Sequence, residues 1–166
     1  MRYFSGVGSI AIATVFAIVT AAGAAGAAAR STGRPLRANY PIADAARSVD
    51  VPKLRIVVRE GSGVALVAHV QDSSTRDGMN AIIAATTRYL GTSPSYGAVV
   101  VNGDGSVALA RFRVKLRGVA IAGTIGAQRE NDDVLGLVVY DRADRFEKSA
   151  PRLMQAASSL PSAKLR

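Results

Sequence analysis

The residues from Ser106 to Arg129, SVALARFRVKLRGVAIAGTIGAQR, alternate in side-chain character for longer than any other part of the chain. Successive side chains of a strand point to opposite faces. Within Val107 to Leu116 this sets Phe112, Val114 and Leu116 on one face and Arg111, Arg113 and Lys115 on the other. One face belongs to a core, and the other is a basic stripe. Arg117-Gly118 supplies a two-residue turn, because glycine accepts positive φ at no steric cost, and Val119 to Gln128 is the return strand.

The flanking segments extend this meander. Lys53 to Arg59 and Val64 to Val70 are β-branched runs joined by Glu60-Gly61-Ser62-Gly63, which predicts a first hairpin. Ser74 and Asp77 resemble a capping box, and Met79, Ile82, Ile83, Thr86 and Leu90 fall on one helical face before a stop at Gly91. A strand over Tyr96 to Val101 and a turn at Asn102-Gly103-Asp104-Gly105 lead into the meander. After a turn at Glu130 to Asp133, Val134 to Tyr140 is the most continuously apolar strand and therefore the expected centre of the sheet. Asp141 to Lys148 reads as a charged connector. Ser149 then caps a final helix with Pro151 in its first turn, with Leu153, Met154, Ala157 and Leu160 as its buried stripe, ended by Pro161. The expected fold is α+β: an antiparallel sheet of about six strands packed against two helices, in the order β-β-α-β-β-β-β-α.

Composition sets further bounds. Hydrophobic residues are 49% of the 166 but aromatics only 5%, so the core is expected to be built from Val, Ile and Leu. The absence of cysteine excludes disulfides, thiolate metal sites and cysteine nucleophiles. The formal net charge of +9 favours anionic surfaces, although an arginine-rich composition alone gives the same total.

Met1 and Arg2 form a positive n-region, Ile10 to Thr20 an apolar h-region, and the Ala/Gly tail offers A-x-A sites. This is the pattern of a secretory signal peptide over residues 1–29, cleaved after Ala29, with Ala22-x-Ala24 as a second possible site. The competing reading is an uncleaved anchor over Tyr3 to Ala29, tethering the protein to the inner membrane, but its last third is weakly apolar. Cleavage lowers the net charge by one unit, since Arg2 is the only charged side chain before Arg30. Residues 30–39 read as a flexible linker and 40–166 as a single domain, with a short helix over Ile42 to Val49. The domain is expected outside the cytoplasm, periplasmic or secreted.

With a helix after the first hairpin, G-V-x-I-x-G at Gly118 to Gly123, a V-V-Y strand and a connector ending F-E-K-S-A-P, the region Lys53 to Leu160 resembles the PsbP-like fold, which includes DcrB-type exported bacterial proteins. The resemblance rests on element order, implies a small α/β/α sandwich acting as a non-catalytic binding or assembly factor, and transfers no site residue.

Few residues point to chemistry. His69 is the only histidine, so an imidazole base or metal site has nothing else to build on, and a structural role is the plainer reading. Asn102 to Ser106 resembles the start of a calcium loop, but Arg113 stands where the closing glutamate belongs. Gly61-Ser62-Gly63 lies between strands and lacks the helix behind it that a phosphate cradle needs. Glu130, Asp132, Asp133, Asp141, Asp144 and Glu147 fall in turns and connectors, where solvated charge is the default; a small extracytoplasmic hydrolase using clustered carboxylates is the alternative. The expectation is no enzyme, no cofactor and no metal. The best candidate site is the stripe Arg111, Arg113, Lys115 and Arg117, facing an acidic envelope protein or anionic lipid headgroups, with a solvated or edge-protecting face as the plain alternative. No aromatics interleave with it, which disfavours base stacking and nucleic acid.

Overall fold

The computed structural model describes residues 51–160. The signal segment, the linker, the helix expected over Ile42 to Val49 and the stop at Pro161 lie outside the described residues. The strands β1 (Arg55–Glu60), β2 (Gly63–Val70), β3 (Ser95–Tyr96), β4 (Val100–Val101), β5 (Val107–Leu116), β6 (Val119–Glu130) and β7 (Asp133–Arg142) form one antiparallel sheet. Its order is β1-β2-β7-β6-β5-β3, with β4 also pairing with β5. Helix α1 (Thr75–Leu90) follows the first hairpin and α2 (Phe146–Ser158) follows β7.

The turns explain the registers. Arg117 (φ 48°) and Gly118 (φ 85°) are both left-handed, the geometry whose twist matches flanking strands, and they pair Leu116 with Val119. Asn131 takes φ 58° at the β6–β7 turn, a conformation its short polar side chain tolerates. In α1, Ser74 accepts the Asp77 N–H through its hydroxyl, and Gly91 closes the helix at φ 67°.

The alternation of β2 and β7 places apolar side chains on both sheet faces, and each face takes a helix. Leu66, Ala68, Val134, Val138, Ile125 and Phe112 pack with Met79, Ile82 and Ile83 of α1. Ala65, Val67, Leu137 and Val139 pack with Phe146, Leu153 and Met154 of α2 on the other side. The result is a three-layer α/β/α sandwich with β7 third in the strand order, next to β2 and β6 in the sheet interior, as its apolar run predicts. Val114 and Leu90, expected in the core, are only partly buried at its margin, and Leu116, also expected there, is half-buried near the hairpin tip. The Phe112 ring lies over Gly123, where an added Cβ would stand 2.3 Å from Cζ, so that glycine is the floor on which the ring rests.

Two expected elements differ. The run Tyr96 to Val101 is interrupted, because three residues, Gly97 to Val99, face only Ala110 and Arg111 of β5. This one-residue bulge lets Val99 turn into the core, at 6% exposure. The last helix begins at Phe146 rather than at Ser149, with Arg145 at its N-cap and no side-chain cap. Phe146 is buried at 4%, and this apolar anchor draws the helix back into the charged connector. Pro151 is therefore the sixth helical residue, where it removes one backbone bond instead of costing nothing.

Candidate binding face

Arg111, Arg113 and Lys115 are exposed along β5, between buried Ala110 and Phe112 and half-buried Val114 and Leu116. Arg117 is exposed in the following turn. The stripe therefore stands on the face that carries α2, but α2 packs mainly over β1, β2 and β7. An open groove remains between the stripe and the start of α2. One part, of about 260 Å³, is lined by Arg111, Arg113, Ala122, Phe146 and Glu147 among others. The adjoining part, of about 500 Å³, runs past Ala120 and Ala143. Alanines form the floor because their small side chains leave the long cations standing above it.

Among the described residues, Arg111 is the one of the four cations with an ion-pair partner: its guanidinium stands 3.3 Å from Glu147, with the two side chains 52% and 71% exposed. A pair so exposed contributes at most about 1 kcal/mol.

The strand order also segregates charge. Asp72, Asp77, Asp104, Glu130, Asp132 and Asp133 all lie at the end of the sheet formed by the β2–α1, β4–β5 and β6–β7 connections, where the cations are Arg76, Arg129 and, at the start of β1, Lys53 and Arg55. The opposite end holds Arg117, Arg142, Arg145 and Lys148, together with Arg59 and Arg88, against Glu60, Asp144, Glu147 and the buried Asp141. Antiparallel hairpins bring alternate turns to the same end, so two acidic turns meet at one end and the basic ones at the other.

The six carboxylates considered for acid–base work are not gathered. Glu130, Asp132 and Asp133 sit at the first end of β7, and Asp141, Asp144 and Glu147 at or beyond the other. Asp141 is not solvated either: it is 3% exposed, and it binds elements far apart in sequence. Its carboxylate accepts the Ser62 hydroxyl at 2.5 Å, the Ser149 hydroxyl at 2.6 Å and the Arg142 N–H at 2.7 Å. Burial pushes the Asp141 pKa up, but the hydroxyls of Ser149 and Ser62, the Arg142 N–H and the Arg145 charge outweigh it and hold the carboxyl below the usual range. The cluster ties the β1–β2 turn, the end of β7 and α2 together. Ser149, expected as a cap, is spent on this clamp.

His69 Nε2 lies 2.8 Å from Asp133 Oδ2, with the side chains 25% and 38% exposed, linking β2 to the β6–β7 turn. The calcium-like run closes on itself. Asp104 accepts the Ser106 N–H at 2.8 Å and its hydroxyl at 2.6 Å, while Asn102 accepts the Val107 N–H at 2.8 Å. The two bonds from Ser106, its hydroxyl first, hold the Asp104 carboxyl below its ordinary value. Among the described residues no group of three or more His, Asp or Glu is placed to hold a metal ion. None of their helices is long and apolar enough to cross a membrane.

No protein-family model and no curated protein matches the sequence. Among solved structures the chain is similar to PA94, a Pseudomonas aeruginosa protein of unknown function, with 12% identity, a TM-score of 0.41, and coverage of 71% of this chain and 86% of that one.

Proposed function

We propose that this chain is a non-catalytic, PsbP-like binding or assembly module that acts outside the cytoplasm and engages an anionic surface or acidic partner through Arg111, Arg113, Lys115 and Arg117. The observation that carries the reading is the row of four neighbouring exposed cations, one of them held by a single solvent-exposed ion pair, beside an open groove. Extended at strand rise the row spans about 20 Å, enough to meet several anionic groups together. The three-layer sandwich is the architecture that the PsbP-like resemblance implies, and the n-region, h-region and A-x-A tail support export.

The test is capture of acidic envelope components by the wild-type chain and by Arg111→Glu/Arg113→Glu, at low and high salt. Reversal removes no core contact and breaks only the exposed Arg111–Glu147 pair, so stability should change by no more than about 1 kcal/mol while capture is lost. Capture by the wild type should also weaken with salt, since exposed charges are screened beyond about 10 Å at 0.1 M. Equal capture by both proteins in every condition would leave the stripe a solubilising face. Export predicts that protein recovered from the envelope begins at Arg30 by intact mass, and a species retaining residues 1–29 in the membrane fraction would instead indicate the anchor.

A further inference from the structure

We infer that the basic end of the sandwich docks on an anionic phospholipid surface with the β5–β6 hairpin tip leading, which rests on the binding reading above and specifies its partner and pose. Three observations converge. First, the tip overhangs its neighbours. β3 reaches only to Arg113 of β5, and on the other side the last bond to β6 is the Ala143 N–H to the Ala120 carbonyl at 2.9 Å, so the Leu116–Val119 rung and the Arg117-Gly118 turn stand past both neighbours. At strand rise, the three residues Val114 to Leu116 carry the tip about 10 Å beyond β3.

Second, the tip is amphipathic. Val119 is 44% exposed and Leu116 half-buried, between the cations Lys115 and Arg117. An apolar side chain among lysine and arginine suits the headgroup boundary, where the charges stay with phosphates and the apolar group enters the acyl region. A soluble acidic partner gives no reason for Val119 to be at the leading point.

Third, the charge is polarised along the strands. Arg145 and Lys148 at the start of α2 and Arg142 at the end of β7 stand at the same end as the tip, and the acidic turns stand at the other. A broad negative plane attracts one end and repels the other, so a charge distribution of this kind orients the molecule as well as holding it. A short acidic peptide in the groove would gain nothing from Lys148 or from the distant carboxylates. Each basic residue near an anionic bilayer strengthens binding by about fivefold, and the effect falls off within a Debye length.

The chain contains no tryptophan, so one introduced tryptophan reports one place. The experiment places it at the tip in Val119→Trp, and at the exposed acidic end in Gln71→Trp, in the chain beginning at Arg30 that cleavage of the signal segment leaves. Both are mixed with vesicles of phosphatidylglycerol and phosphatidylcholine, or of phosphatidylcholine alone, with and without brominated acyl chains. Val119→Trp emission should shift to the blue and be quenched by brominated chains on the anionic vesicles at low salt only, and Gln71→Trp should not change. Lys148→Glu, outside the stripe, should weaken the anionic component of vesicle binding by about tenfold or more. Equal responses of the two tryptophans, or no response from Val119→Trp while vesicles still sediment the protein, would overturn the pose. Failure of anionic lipid to add to vesicle binding would overturn lipid docking altogether, and salt-sensitive capture of an acidic protein would still uphold the binding reading.

Discussion

Replacing Asp141 by Ala removes a buried carboxylate that accepts three hydrogen bonds, two of them from serines of separate elements. Hydrogen bonds to charged groups contribute about 1.5–3 kcal/mol each, and the Ser149 hydroxyl, 8% exposed, would be left without its short partner. The desolvation of the carboxylate, several kcal/mol, disappears with it and offsets part of that loss. A net destabilisation of about 2–4 kcal/mol is expected, which for a domain of this size lowers Tm by roughly 4 °C per kcal/mol. Asp141→Asn, which keeps one acceptor oxygen, should lose about half as much. The dependence on pH has a definite sign. The folded carboxyl sits below its ordinary value of 3.8, so its contribution is fully present above that value and is lost as pH falls through the folded pKa. Urea unfolding followed by circular dichroism should therefore separate wild type from Asp141→Asn at pH 7, and the gap should close below about pH 4. A loss under about 0.5 kcal/mol in Asp141→Ala, or a gap that widens as acid is added, would refute the clamp.

Phe112→Ala should cost about 3–5 kcal/mol in the same urea assay, because the ring is 2% exposed and packs directly on Gly123, which has no side chain to close the gap. Gly136→Ala should destabilise by about 1–3 kcal/mol, since the new Cβ would stand 2.4 Å from Ile82 Cδ1 where α1 meets the sheet. Gly136→Ala combined with Ile82→Val should recover part of that loss, and strictly additive losses would show that the contact is not the cause.

Local signals carried most of the fold. The alternation of β5 and β6, the turn at Arg117-Gly118, and the caps at Ser74 and Gly91 depend on neighbours within a few residues, and each stands where its chemistry predicts. The basic stripe was legible for the same reason, since alternation alone separates Arg111 and Arg113 from Phe112. What escaped depends on distant partners. Asp141 stands in DRADRFEK, which reads as solvated charge, and its burial is decided by Ser62, 79 residues away. The early start of α2 had a signal in Phe146, an apolar residue inside the charged run, but the proline and serine rules pointed past it. The bulge at Gly97 to Val99 was announced only by the glycine. The segregation of acidic and basic turns follows from strand order, which composition does not reveal.

Strand order has a further consequence for how the chain assembles in time. β5, β6 and β7 are joined by two-residue turns and can zip as successive hairpins on the microsecond scale. The β1–β2 hairpin forms as locally, but β2 reaches its second partner only across the His69–Asp133 separation of 64 residues. Standing nearer the amino terminus, it precedes the meander as the chain emerges and waits, with the apolar edge of β2 unpaired, until β7 is free to pair. The slowest step should then be the docking of this early hairpin onto the finished meander, and the Ser62–Asp141 contact is a bond that can form only when that docking is complete.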